Sequence, residues 1–484
     1  MILPENLMSR KTFRVMAFGL LLAAPGAAQL YRQVNLVSDI SGVATVTDPL
    51  MINPWGVSFS PATPFWISNQ GTSTATLYAV TGSSDVSKVA LNVNTPGPPS
   101  GQVFNGSPGF VVSQGDASGP ASFLFAQLNG TISGWNSNVP PPVPPATVST
   151  QAVLAATGAP APVAYTGLAL GTRSSGMFLF AANNAAGRID VFDSNFAQVN
   201  VPGGFVDAGL PASNLPFNVV NIAGSLYVTY SGAAGVVNVF DTNGNFQRRF
   251  ATGGTLLNPW GIALAPADFG KFSKALLIGN FNFGNPASGP GRISAFDPDT
   301  RAFLGLLEDT TGVPLSIDGL WSLTFGNGQK AGASNVLYFT AGIQNQAHGI
   351  FGRLAACGPV ISSASASPNT LWPPNHKMVL VTLDYTVSDD CDSAPVGSIS
   401  IGSNEGTSAD WQVVDLHHVN LLADRAGNGD GRIYTITISY KDKLGLSSST
   451  TVTVTVPHDQ GNNGDQGDQG DQGDNGHGKK HGKD

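Results

Sequence analysis

The sequence predicts an all-β protein: a six-bladed β-propeller followed by an immunoglobulin-like β-sandwich and a disordered tail. Three observations carry that expectation. Only 23 Lys+Arg and 31 Asp+Glu occur among 484 residues, a charged fraction of 11% where soluble domains average about 25%. Turn-forming Gly (59) and Pro (33) are abundant, while 42% hydrophobic residues suffice for a sizeable core. One phrase of three short apolar runs returns six times, and no apolar stripe of helical period accompanies it. The net charge of −8, without basic clusters, excludes nucleic acid as a partner, because phosphate binding rests on Lys and Arg.

The elements follow in chain order. Arg10, Lys11 and Arg14 precede the apolar run 15–24, and the small residues Gly26, Ala27 and Ala28 close it. That pattern reads as a secretory signal peptide over 1–28. Its apolar run is too short for a membrane anchor, which needs about 20 residues. The mature chain is therefore expected to be secreted, extracellular or periplasmic, with no membrane span. Residues 30–37 form a spare strand ahead of the first repeat, and lending it to the last blade would close the ring and remove two sheet edges.

The propeller is expected over 29–356. Trp55, Phe110, Tyr165, Phe217, Trp260 and Trp321 mark the openings of six units, 43 to 61 residues apart. The fifth unit is the clearest copy: Asn258-Pro259-Trp260-Gly261, then Leu276-Leu277-Ile278-Gly279-Asn280, then Arg292-Ile293-Ser294-Ala295-Phe296-Asp297. Three or four short strands in 40–55 residues are the size of a propeller blade. The phrase resembles that of NHL-type six-bladed propellers, and most of all an uncharacterised family of exported bacterial NHL-like propellers. Asn53-Pro54-Trp55-Gly56 is the most specific piece of that resemblance.

Beyond the propeller, residues 378–387, 432–440 and 450–456 alternate apolar and polar with period two, as strands with one buried face do. A sandwich is expected over 357–457. Its Cys357…Cys391 stretch and the strands after it resemble hyalin-repeat and related bacterial immunoglobulin-like modules, which implies an adhesive or spacer role. Two cysteines in an exported chain permit one disulfide, Cys357–Cys391, with two free thiols as the alternative. From 458 to 484 the chain is polar, with Gly at a three-residue period but none of the Pro of collagen, and reads as disordered.

Antiparallel pairing inside a blade brings the start of its innermost strand beside the end of its second. Trp55 thus groups with Asn69, Phe110 with Gln127, Tyr165 with Asn183 and Asn184, and Phe217 with Tyr230. Trp260 groups with Asn280 and Asn282, and Trp321 with Asp318, Gln344 and Gln346. The expectation is a central mouth of rings and uncharged amides that binds a polar neutral ligand, a glycan or peptide, or a protein partner. The alternative for the same residues is a core of aromatics between blades with amides tying turns.

A second functional reading is a metal-assisted lactonase or lyase in the propeller channel. Asn69, Asn184 and Asn280 would supply carbonyl oxygens to Ca²⁺, but Asp318 alone would add charge, and His348 is the one histidine in a propeller loop on that side. No cofactor is expected on balance; Asp389, Asp390 and Asp392, crowded beside Cys391, are the candidate Ca²⁺ ligands. No G-x-S-x-G elbow, H-E-x-x-H pair or Walker loop occurs.

Overall fold

Propeller blades need strands that bury both faces near the axis and only one face at the rim. A computed structural model describes residues 30–232, 234–281, 291–428 and 430–459, and it divides into two units, up to Leu354 and from Ala355. The expected leader at 1–28, Asn282, and the tail beyond Asp459 lie outside the described residues.

The ring of the first unit is built of six sheets whose innermost strands are Pro54–Ser58, Pro99–Phe104, Tyr165–Arg173, Leu215–Ile222, Pro259–Leu264 and Leu320–Phe325. Each of these touches the next, and the sixth touches the first, so the ring is closed. Second strands such as Phe65–Asn69, Phe123–Gln127 and Leu337–Ala341 are buried at every residue, because a neighbouring blade covers each face. Outer strands such as Val86–Asn94 are mostly exposed or half-buried. Charge is scarce for this reason: little of each blade faces water.

The sixth blade takes its outer strand from the front of the chain. Tyr31–Ser38 lies beside Ile350–Ala356, and Val46–Thr47 adds a short parallel strand outside it. Ser38 Oγ donates to the Gly349 carbonyl at 2.8 Å, and Tyr31, fully buried, donates to the Phe269 carbonyl at 3.1 Å. The spare strand does close the ring.

The second blade departs from the sequence reading. Its innermost strand is Pro99–Phe104, and the unit that Phe110 marked is a hairpin, Val111–Gln114 with Ala117–Pro120, inserted before the second strand. The reason lies at the axis. There Gly56, Gly101, Gly167 and Gly261 let consecutive inner strands approach: a Cβ on Gly101 would stand 2.5 Å from the Leu168 amide nitrogen. Gly109-Phe110 has no such role, and Phe110 packs instead on Phe196, with ring centroids 5.3 Å apart.

In the second unit, one sheet holds Val360–Ser367, Met378–Ser388, Trp411–Val413 and His418–Leu422. The other holds Val396–Ser403, Gly431–Lys441 and Ser447–Pro457. Val381, Leu383 and Leu421 of the first sheet share one core with Tyr434, Ile436 and Val454 of the second. This is a β-sandwich, and its alternating strands match the period-two pattern. Cys357 and Cys391 form a disulfide with Cα atoms 5.3 Å apart. Among the described residues no helix is long and apolar enough to cross a membrane.

Candidate functional site

The backbone breaks register near the start of all six inner strands, between Pro54 and Val57, Pro99 and Gln102, Tyr165 and Gly167, Pro216 and Asn218, Pro259 and Ile262, and Leu320 and Leu323. A bulge frees backbone carbonyls from the ladder and re-aims side chains. Other blades recover those carbonyls: Ser100 Oγ donates to Tyr165 (2.6 Å), Thr340 Oγ1 to Trp55 (2.6 Å) and Asn218 Nδ2 to Trp260 (2.8 Å) from the neighbouring blade, and Trp260 Nε1 of the fifth blade to Thr166 of the third (3.0 Å).

The same bulges turn the large aromatics inward, toward one another. Trp55 stacks on Trp321 with ring centroids 3.6 Å apart, Phe281 stacks on Trp321 at 3.8 Å, and Trp260 meets Trp55 and Trp321 edge-on at 6.1 and 5.7 Å. Phe217 joins them, so rings from blades one, four, five and six form one buried cluster. Trp55, Trp260 and Trp321 are at most 5% exposed. They plug the axis where an aromatic mouth was expected.

The predicted amides sit at that end, and strand register pairs Pro54 with Asn69, Tyr165 with Asn183 and Pro259 with Asn280. They serve the turns. Asn69 Nδ2 donates to Thr74 and Thr76 hydroxyls; Gln127 bonds Ser133 and Thr131; Asn183 Nδ2 donates to Asp190 at 2.7 Å while its Oδ1 accepts from the Ala164 and Ala186 amides. Asn280 Oδ1 accepts from the Leu257 amide and its Nδ2 donates to the Thr255 carbonyl. All four are buried, as is Tyr230, whose hydroxyl burial pushes far above its ordinary range. Asn184 is half-buried and reaches across to the Pro216 carbonyl at 3.0 Å. Only Gln344 is exposed, and its backbone N–H donates to Asp318 Oδ2 at 2.7 Å.

The axis is open at its other end. There the later residues of all six inner strands line a cavity of about 420 Å³. Its polar side chains are Ser58, Gln102, Asn218, Asn221, Ser322 and Thr324, and none of the lining residues carries charge. Gln102 Nε2 donates to the Gly56 and Trp66 carbonyls, and Asn221 Nδ2 to Leu170 at 2.7 Å. Gln102 Oε1 and Ser58 Oγ are buried without a hydrogen-bond partner. Trp260 belongs both to the buried ring cluster and to the cavity lining. The mouth was expected at the strand starts, and this cavity lies farther along the same strands.

The acidic residues beside the disulfide are engaged in their own loop. Asp389 Oδ1 accepts from the Cys391 and Asp392 amides, and Asp392 accepts from those of Ala394 and Lys443. Among the described residues no three His, Cys, Asp or Glu side chains gather as a metal set, so Asp389, Asp390 and Asp392 are not one. His348 pairs with Asp39 at 2.6 Å, away from the cavity lining.

No protein-family model matches the chain. Two uncharacterised proteins of Acanthamoeba polyphaga mimivirus are similar to it. One is 32% identical over 342 residues, taking in 66% of this chain and 78% of the relative; the other is 30% identical over 339 residues, taking in 66% and 84%. These relatives are viral, which corrects the bacterial kinship expected from the repeat phrase. Among solved structures, a streptogramin B lyase aligns at 11% identity over 69% of this chain and 100% of its own, with a TM-score of 0.40.

Proposed function

This chain belongs to the family of those two mimivirus proteins, and we propose that its propeller is a binding module for an uncharged polar ligand, a glycan or a peptide segment, held in the axial cavity. One observation carries the reading: all six blades contribute to the cavity, and their contributions are hydroxyls, amides and backbone without a single ionisable side chain. Such a lining rewards hydrogen-bonding groups and offers nothing to a charged ligand or to acid–base chemistry. A lyase or lactonase would need carboxylates or a histidine there, and the lining supplies neither. The sandwich, read as immunoglobulin-like, would space or attach the propeller, and its disulfide suits an oxidising compartment outside the cytoplasm.

Glycan and peptide arrays probed with purified protein test this. Thr324→Arg and Ser58→Phe each fill the cavity from half-buried positions and should cut wild-type signals at least tenfold. Gln344→Ala, beyond the plug, should leave them unchanged. Signals that survive both cavity variants, in protein that melts like wild type, would sink the assignment.

A further inference from the structure

Three loops meet at one end of the sandwich: residues 357–359, residues 389–395 between two strands of opposite sheets, and the hairpin turn 442–446. The disulfide ties the first to the second. The Lys443 amide donates to Asp392 Oδ2 at 2.9 Å and ties the second to the third, while Gly358 lies against Leu446.

Two carboxylates enter this junction half satisfied. Asp442 is 5% exposed; its Oδ1 accepts from the Leu446 amide at 2.7 Å, and its Oδ2 is buried without a hydrogen-bond partner. Asp389 Oδ1 accepts from the Cys391 and Asp392 amides at 2.8 and 3.1 Å, and its Oδ2 is likewise buried and unpartnered. Burial raises the Asp389 carboxyl above its ordinary range; the Cys391, Asp392 and Gly358 amides oppose that shift and the charge of Asp442 adds to it. Two anionic oxygens buried without donors at one loop junction are unfavourable. A positive charge bound at the junction reverses the sign.

We propose that the Asp389–Asp442 junction is a divalent-cation site whose all-oxygen donors select Ca²⁺. The two free Oδ2 atoms are its charged ligands, and loop carbonyls and water complete the six to eight oxygens that Ca²⁺ takes. Zinc would require thiolate or imidazole, and both cysteines are committed to the disulfide. Asp392, a member of the triad the sequence pointed to, spends its oxygens on the Ala394 and Lys443 amides; Asp442, 50 residues farther along, takes its place. The ion would fasten the loops that the disulfide already joins.

Calorimetric titration of EDTA-stripped full chain with CaCl₂, followed by thermal melting, tests the site. The expected result is one Ca²⁺ bound per chain and a rise of several degrees in the melting of the sandwich. Asp389→Asn and Asp442→Asn should each weaken binding at least tenfold, yet raise the melting temperature of ion-free protein, because a neutral amide ends the repulsion. The proposal falls if wild type takes up no Ca²⁺ at up to about 10 mM, well above the range of extracellular calcium modules, or if the double variant still binds. It falls equally if ion-free wild type gains stability on acidification while Ca²⁺ adds nothing, for then the pair shares a proton. The wild-type titration decides even where a variant fails to fold.

Discussion

A single missing Cβ at the axis governs how closely two blades can pack. On Gly261 that atom would stand 2.5 Å from the Trp321 carbonyl oxygen and 2.9 Å from the Leu323 amide nitrogen, both backbone atoms that cannot swing aside. Gly261→Ala should therefore destabilise the propeller by about 1–3 kcal/mol. Gly402→Ala, which meets nothing within 4 Å, should change stability by under about 0.5 kcal/mol. Denaturant unfolding of the two variants compares them; equal midpoints would show that the inner strands are not held this tightly. Residue identities alone revealed Trp55, Trp260 and Trp321 as repeat markers. They did not reveal direction, because an indole is as suited to a mouth as to a plug. The bulges that turn these rings inward leave no mark on composition.

At the scale of the element, the apolar phrase located five of six blades, since a strand covered on both faces must be apolar throughout. The second blade escaped for a physical reason. Its inner strand, Pro99–Phe104, carries Ser100 where blades one, four, five and six have an aromatic, while the inserted hairpin after Phe110 imitates the missing phrase. Gly101 was the better guide, because close approach is needed whatever the neighbouring side chain. The leading strand was legible as a surplus without a hairpin partner of its own. Removing residues 30–38 should leave Ile350–Ala356 with an unpaired edge and abolish the single cooperative propeller transition. Size-exclusion chromatography and calorimetry would check this, and an unaltered melting curve would refute ring closure by that strand.

For the whole molecule, composition announced the architecture: few charges, many turns, a large core. It also divided the chain, since the three-run phrase gives way to period-two strands after the sixth blade. The disulfide lies wholly within the second unit and closes a loop across a sequence separation of 34 residues. Cys357→Ser should lower the stability of the sandwich by about 3–4 kcal/mol and leave the unfolding of the propeller in place. Following sandwich Tyr434 and propeller Trp260 by site-resolved hydrogen exchange separates the two; a matching loss of protection in the propeller would contradict that division. The candidate cavity was less legible than the fold, because its polar groups come one or two from each blade and become neighbours only when the circle is complete.

That circle has a temporal side. The bond from Ser38 to Gly349 spans 311 residues, so Tyr31–Ser38, made well before the sixth blade, is among the last strands to dock. Until Ile350–Ala356 emerges, the growing chain carries an open edge at each end of an incomplete ring, the kind of surface that invites pairing with another chain. Long-range closure of this sort is also slow. A nascent chain of this protein thus has an interval, ending only with the sixth blade, in which it can still be threaded through a narrow pore or captured by a chaperone. After closure, unthreading it requires the first and last strands to part together.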